Sequence, residues 1–128
     1  MDFTGKVVVA DLEAGVGTLT RLGEAGVDVV LVVVEATPKS VEVGSRAVAL
    51  AADRSLGRVI VVASRVRTED DLAMVRKAFP DHQVIAIPDD PAIVAADRNG
   101  VAPLDSAPDA PGVQALTRLA DQVLTAAS

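Results

Sequence analysis

Four short runs of apolar residues constrain the fold more than any other feature of this sequence. Each run is dense in Val and Ile, and none shows the polar alternation of a strand that faces water on one side. Runs of this kind are typical of strands buried on both faces, as in a parallel sheet covered by helices. The predicted strands are Lys6–Ala10, Val27–Val34, Arg58–Ala63 and Gln83–Ile87.

Segments with helical signals alternate with these runs. A short helix is predicted over Leu19–Ala25. Three further helices have start signals: Thr37 before Pro38 in the first, Thr68 in the second, and Pro91 in the third. The stretch "NGVAPLDSAPDAPG" is rich in Pro, Asp and Gly, so we expect an ordered connection there.

The last segment has apolar residues at the spacing of one helical face, which would dock on the sheet. These residues are Val113, Leu116, Leu119, Ala120, Val123 and Leu124. The alternation of strands and helices predicts the α/β class with right-handed crossovers. We expect one domain over residues 1–128, with a parallel sheet of about four strands and helices on both faces. This is a Rossmann-like, three-layer arrangement.

Composition narrows the function classes. The net charge is −6, and an acidic chain repels phosphate backbones, so we expect no nucleic acid partner. No cluster of Lys and Arg favours a membrane surface. The absence of cysteine excludes disulfides, thiolate metal sites and cysteine nucleophiles. The N-terminal "MDFTGKVVVADLE" does not have the pattern of a signal peptide, so we expect a cytoplasmic protein.

Candidate chemistry lies after the predicted strands, because ligands of open parallel sheets bind beyond the carboxyl ends of the strands. Asp11 and Glu13 follow the first strand, and Gly15 and Gly17 come next. An aspartate here can orient water on a magnesium ion, and glycine lets the backbone approach a phosphate. The same residue types also end strands and cap helices, so a purely structural role is the alternative.

Other motifs argue against catalysis. A dinucleotide-binding pattern would need glycine where Thr20 stands. A P-loop needs a Gly-Lys pair followed by Ser or Thr and a helix, but the only Gly-Lys pair, Gly5-Lys6, precedes Val7 and opens a predicted strand. His82, the only histidine, follows Pro80 and Asp81 in a predicted turn. No serine has a histidine near it in the sequence or a nucleophile-elbow pattern around it. We therefore predict no catalytic residues.

The series of strand ends resembles a known family. "VVVADLEAGVGTL" resembles the Walker B and switch region of the deviant-Walker P-loop ATPases related to MinD and ParA. The branch it resembles most assists nickel insertion into carbon monoxide dehydrogenase, a metallochaperone role. Four later stretches are similar to the family's following segments: "DVVLVVVEATPKSVEVGSRAVALA", "RVIVVASRVR", "VIAIPDDPAIVAADRNGVAPLD" and "APGVQALTRLADQVL". The similarity covers nearly the whole chain in the family's order.

The resemblance implies roles at the phosphate end of a nucleotide site. Asp11 would be the Walker B acid, acting on magnesium through water, and Gly15 would lie near the γ-phosphate. The family's P-loop strand, its lysine and the branch's metal-binding cysteine pair have no counterpart in these 128 residues. We therefore expect no cofactor for the chain alone, and Mg-ATP only if a partner supplies the P-loop.

The resemblance also implies roles at the base end of that site. Ser64 would stand where the family has an asparagine that hydrogen-bonds adenine, and Arg65 would stand where it has a lysine. Pro88 and Asp89 would lie along the base. Serine is shorter than asparagine and lacks its paired donor and acceptor. This departure from the family's pattern adds to the expectation that nucleotide binding is lost.

The resemblance finally implies a gap in the sheet. In the family's strand order, the P-loop strand lies between the strands that correspond here to Lys6–Ala10 and Val27–Val34. Either these two strands pair directly, or another chain covers the edge. The leading interpretation is a non-catalytic domain that acts through protein association, as a homodimer or with a different partner. The alternatives are half of a split or truncated ATPase, and a small-molecule or metal-ion module using Asp11, Glu13, Glu35 and Asp89.

Overall fold

A three-stranded parallel sheet organises the computed structural model, which describes residues 7–10 and 26–127. The strands are β1 (Val29–Val34), β2 (Arg58–Val66) and β3 (Gln83–Pro88), in the order β1-β2-β3. The helices are α1 (Pro38–Asp53), α2 (Glu69–Ala78), α3 (Pro91–Arg98), α4 (Pro103–Ser106) and α5 (Pro111–Ala127). A helix connects each strand to the next, so the fold is α/β and of the Rossmann-like class.

The predicted first strand is the main error of the sequence-based prediction. Val7–Ala10 form no strand and are exposed, with Val7 at 70% and Val9 at 87% of their maximal accessible area. The described part of the sheet therefore has three strands rather than about four. A run of β-branched residues becomes a strand only where a neighbour pairs its backbone, and the described residues supply none. Lys6 and the predicted helix Leu19–Ala25 lie outside the described residues.

Strand ends also differ from the prediction. β2 continues past Ala63 to Val66 through an irregular pairing with β3, and Arg65 within it has a positive φ of 55°. An irregular pairing of this kind depends on contacts with the next strand, so the pattern of apolar residues within β2 does not predict it. β1 begins two residues later than predicted, at Val29, and β3 includes Pro88. The Pro-rich connection contains the short helix α4.

The predicted helix starts are confirmed. The Thr37 hydroxyl accepts a hydrogen bond from the Ser40 amide at 3.2 Å at the start of α1. Thr68 and Asp71 form a reciprocal capping box at the start of α2, which has acids in its first turn and cations in its last. Pro91 stands in the first turn of α3. Within the described residues, none of the helices has the length and hydropathy that crossing a membrane requires.

Helices pack on both faces of the sheet, as predicted. On the first face, α1 and α2 bury β1 and β2 in one cluster, which comprises Val32, Val34, Val48, Val61, Ala63, Val75 and Phe79. Gly44 allows α1 to approach closely, because a Cβ there would overlap the Val34 side chain. On the second face, Ala115 and Leu119 of α5 pack against Val62 and Ile87.

The second face is covered unevenly. Leu31 and Val33 of β1 are the register partners of Ile60 and Val62 of β2, so each pair points to the same side of the sheet. Ile60 and Val62 are 0% and 3% exposed, whereas Leu31 and Val33 are 40% and 62% exposed. The part of β1 that shares a face with α5 is therefore left at the surface.

Candidate functional site

Four charged side chains meet where the three strands end. Glu35 follows β1, Arg65 lies near the end of β2, Arg67 follows β2, and Asp89 follows β3. Arg65 Nη1 is 3.4 Å from Glu35 Oε1, and Arg65 Nε is 3.4 Å from Asp89 Oδ1. Arg67 Nε donates to Asp89 Oδ2 at 3.0 Å. We call these four residues the strand-tip cluster, in which Arg65 bridges the ends of the two outer strands.

The backbone of β2 positions the two arginines. The pairing of β2 with β3 is irregular between Ala63 and Val66, and Arg65 in this interval has a left-handed conformation. A non-glycine residue with positive φ costs on the order of 1 kcal/mol or more. The Asp89 amide donates to the Val66 carbonyl at 2.9 Å, which keeps β3 attached beyond the irregularity. Arg65 and Asp89 are thereby held within contact distance.

The cluster lowers the pKa of Asp89 below the ordinary aspartate value. The main cause is the hydrogen bond from Arg67, with smaller contributions from the Arg65 bond and from the two positive charges; partial desolvation opposes them. The arginines and Glu35 are about half exposed or more. Since exposed ion pairs contribute little stability, the cluster affects charge distribution more than folding.

A small groove of about 140 Å³ opens beside the cluster. Its lining comprises Glu35, Ala36, Thr37, Arg65, Arg67 and Asp71. The polar groups here largely bind one another: the Asp71 carboxylate accepts from the Arg67 amide at 3.0 Å, and the Ser40 hydroxyl accepts from the Glu35 amide at 2.9 Å. Typical small-molecule pockets enclose about 300 Å³ or more. The groove is therefore smaller than a usual ligand pocket, and its polar groups already have partners.

The predicted site residues are only partly brought together. Arg65 and Asp89 are in direct contact. Ser64 is half-buried within β2 and Pro88 ends β3, and neither lines the groove. Asp11 and Gly15, including the metal role expected for Asp11, lie outside the described residues.

Arg67 was missed by sequence reasoning. The available signal was the Arg-Val-Arg sequence over 65–67 directly after an apolar run, with Asp89 at the end of the next strand. Carboxyl ends of adjacent parallel strands share one edge, so opposite charges at these two positions indicate an ion pair. That both arginines reach the same carboxylate depends on the irregular pairing of β2 with β3, which the sequence does not predict.

Asp90, beside the cluster, has a structural role. It is buried, and its Oδ1 accepts from the Ala92 amide at 2.9 Å as the cap of α3. Its Oδ2 accepts from the Gly112 amide at 2.8 Å at the start of α5. A Cβ on Gly112 would lie 2.8 Å from the Cβ of Asp90, so glycine permits this contact. Asp90 thus ties α5, which covers the second face, to α3.

The fold and this edge define a class: an open parallel α/β sheet of Rossmann-like type with an ion-paired carboxyl end. Within residues 7–10 and 26–127, no three acidic or histidine side chains are grouped as metal ligands. Comparison with protein-family models finds no match to this chain, and a search of curated proteins also finds none.

Proposed function

We propose that this chain is a non-catalytic α/β domain of the MinD/ParA type that acts through protein association at the outer edge of β1. One observation carries the proposal. β1 pairs with β2 on one side, and on its other side the described residues provide no strand. An unpaired edge with exposed apolar side chains, here Leu31 and Val33, is a surface that recruits another polypeptide.

The position of this edge agrees with the resemblance to the ATPases. In the strand order which that resemblance implies, a further strand lies beside β1. The predicted strand over Lys6–Ala10 does not take that place within the described residues, since Val7–Ala10 form no strand. In the described part of the chain, the edge of β1 is thus open on the side where the resemblance would place the P-loop strand, which supports an association role.

The strand-tip cluster supports the non-catalytic part of the proposal. Among the described residues, Arg65 and Arg67 are the cations of the strand-tip cluster, and each contacts a carboxylate of the chain itself. An incoming polyphosphate would have to compete with Glu35 and Asp89 for these cations and would meet their negative charge. The 128-residue sequence also has no glycine-rich loop with lysine to supply other donors.

Light scattering of the purified chain, with and without Mg-ATP, tests the proposal. We expect a mass above that of one chain, no change with Mg-ATP, and no heat of ATP binding in calorimetry. The double variant Leu31→Lys/Val33→Lys should shift the mass to that of a single chain, because charges on the edge oppose pairing. Val43→Lys, at an exposed position on α1, is the matched control and should still associate. A monomeric parent chain, or micromolar Mg-ATP binding by it alone, would contradict the proposal.

A second candidate is half of a split ATPase that binds Mg-ATP only with a P-loop-bearing partner. The adjacency of the open β1 edge to Glu35 and Arg65 favours it, because a strand added there would end beside the strand-tip cluster. The test is ATP hydrolysis by a mixture of this chain with a chain carrying the P-loop strand. The candidate predicts activity in the mixture only, and its loss with Asp11→Asn. Absence of hydrolysis and of complex formation would reject it.

A further inference from the structure

We infer that the outer edge of β1 is filled by Val7–Ala10 of a second copy, so that two chains exchange a strand. The inference rests on the proposed association function and names its partner. Its starting point is that one chain exposes two complementary apolar elements. Val7, Val8 and Val9 are each more than half exposed, and so is Val33 on the edge strand. Pairing the two elements would satisfy the backbone groups of the edge and bring the apolar side chains of both into lateral contact.

The shape of both elements favours strand addition. β1 has six residues and an outer row of backbone groups without a strand among the described residues. Val7–Ala10 consists of three β-branched residues and an alanine, a composition suited to a pleated surface. Main-chain hydrogen bonds along an open edge bind such a segment with little demand on its side chains.

Charge disfavours the simplest alternative, in which two β1 strands pair with each other. β1 is flanked by Asp28 and Glu35, both exposed. A two-fold antiparallel pair that aligned all six residues would place Asp28 of each copy opposite Glu35 of the other. Like charges directly opposite one another destabilise a strand pair. Val7–Ala10 is flanked in sequence by one charge of each sign, Lys6 and Asp11, so its addition to the edge carries less of this repulsion.

The described structure also favours a second copy over the same chain. Within one chain, Val7–Val9 and the Leu31 and Val33 side chains of β1 are exposed together, and the sheet as described ends at β1. Exchange of the same segment between two copies creates two equivalent junctions and closes the assembly as a dimer. Each copy would then have both its β1 edge and its Val7–Ala10 segment paired at once.

Cross-linking tests the exchange cleanly, because the chain contains no cysteine of its own. A Val9→Cys chain is mixed with a Val33→Cys chain that carries a mass tag, and a short bis-maleimide is added. We expect a product whose mass is the sum of the two chains. The control replaces Val33→Cys by Val94→Cys, which is on α3 and about half exposed, and should give little product.

Each outcome of the cross-linking has a defined meaning. Equal products with Val94→Cys and Val33→Cys, or no product in a sample that light scattering shows to be associated, would overturn strand exchange and leave the association function standing. A monomeric mass without product would overturn both. The Val9→Cys/Val33→Cys double variant distinguishes the source of the strand: a cross-link within one chain at monomer mass would also overturn exchange. Replacing Val7, Val8 and Val9 by serine should shift the mass to that of one chain, and an unchanged mass would contradict the inference.

Discussion

Leu31 and Ile60 have similar side chains, pair in register on neighbouring strands and point to the same side of the sheet, yet one is at the surface and the other is in the core. Val33 and Val62, two residues further along, repeat the contrast. The difference is the cover that α5 provides: Ala115 and Leu119 pack against Val62 and Ile87, whereas α5 also approaches β1 but leaves Leu31 and Val33 exposed. Burial on this face is therefore decided by where the last helix lies and not by the residues of each strand.

The opposite face of β1 shows that the strand itself is well suited to a core. Val32 and Val34 are buried there against α1, which Gly44 allows to approach closely. β1 is thus core on one side and surface on the other, although all six of its residues are apolar. The exposed side is the surface to which we assign association.

The largest expected effect contrasts Ile60→Ala with Leu31→Ala. Removing the fully buried Ile60 side chain should lower the free energy of unfolding by about 3 kcal/mol, because it loses apolar burial and leaves a cavity. Leu31→Ala should lower it by about 1.5 kcal/mol, roughly half as much, since this side chain is 40% exposed in the folded chain. Urea unfolding of both variants, made in the chain with Val7, Val8 and Val9 replaced by serine, which we expect to be monomeric, measures both losses without a contribution from association. Equal losses would mean that α5 does not cover the two strands differently.

An intermediate effect is expected at the anchor of α5. Asp90→Ala should cost about 2 kcal/mol, because α3 loses its cap and the Gly112 amide loses its acceptor. Thr37→Ala removes an exposed cap from α1 and should cost only about 1 kcal/mol. Thermal unfolding of both variants beside the parent chain checks the order. A smaller loss for Asp90→Ala than for Thr37→Ala would show that this contact does not hold the covering helix.

The smallest effect concerns the strand-tip cluster, which joins the ends of the exposed and covered strands. Arg67→Gln should raise the pKa of Asp89 toward the ordinary aspartate value, and Arg65→Gln should raise it less, because the Arg67 hydrogen bond is the larger cause of the lowering. A carboxyl NMR titration of Asp89 measures the pKa in each variant.

The sign of the accompanying pH dependence follows from this lowered pKa. A lowered pKa means that the carboxylate contributes stability above the ordinary aspartate pKa and loses it as the pH falls through the folded-state pKa. Arg67→Gln should therefore flatten the acid end of the stability profile. An unchanged Asp89 pKa in Arg67→Gln would contradict the claim that the Arg67 hydrogen bond lowers it.

Local patterns predicted much of this fold. The apolar runs at β1, β2 and β3 and the caps Thr37 and Thr68 were identified because strand composition and capping depend on neighbours in sequence. The run over Val7–Ala10 was misassigned for the same reason, since its composition is that of a strand and only pairing makes it one. Of the predicted site residues, Arg65 and Asp89 are in contact in the structure. Asp11 and Gly15 lie outside the described residues, so their predicted roles stay predictions.

The sequence by itself determined the α/β class, the helix starts and the parallel arrangement, because these follow from residue-by-residue preferences and from the order of elements along the chain. Only the tertiary structure decided that Arg67 reaches Asp89 and that Ile60 is buried while its partner Leu31 is exposed. The irregular pairing of β2 with β3 and the placement of α5 depend on contacts between residues far apart in the chain. Such contacts leave no periodic signal in the local sequence.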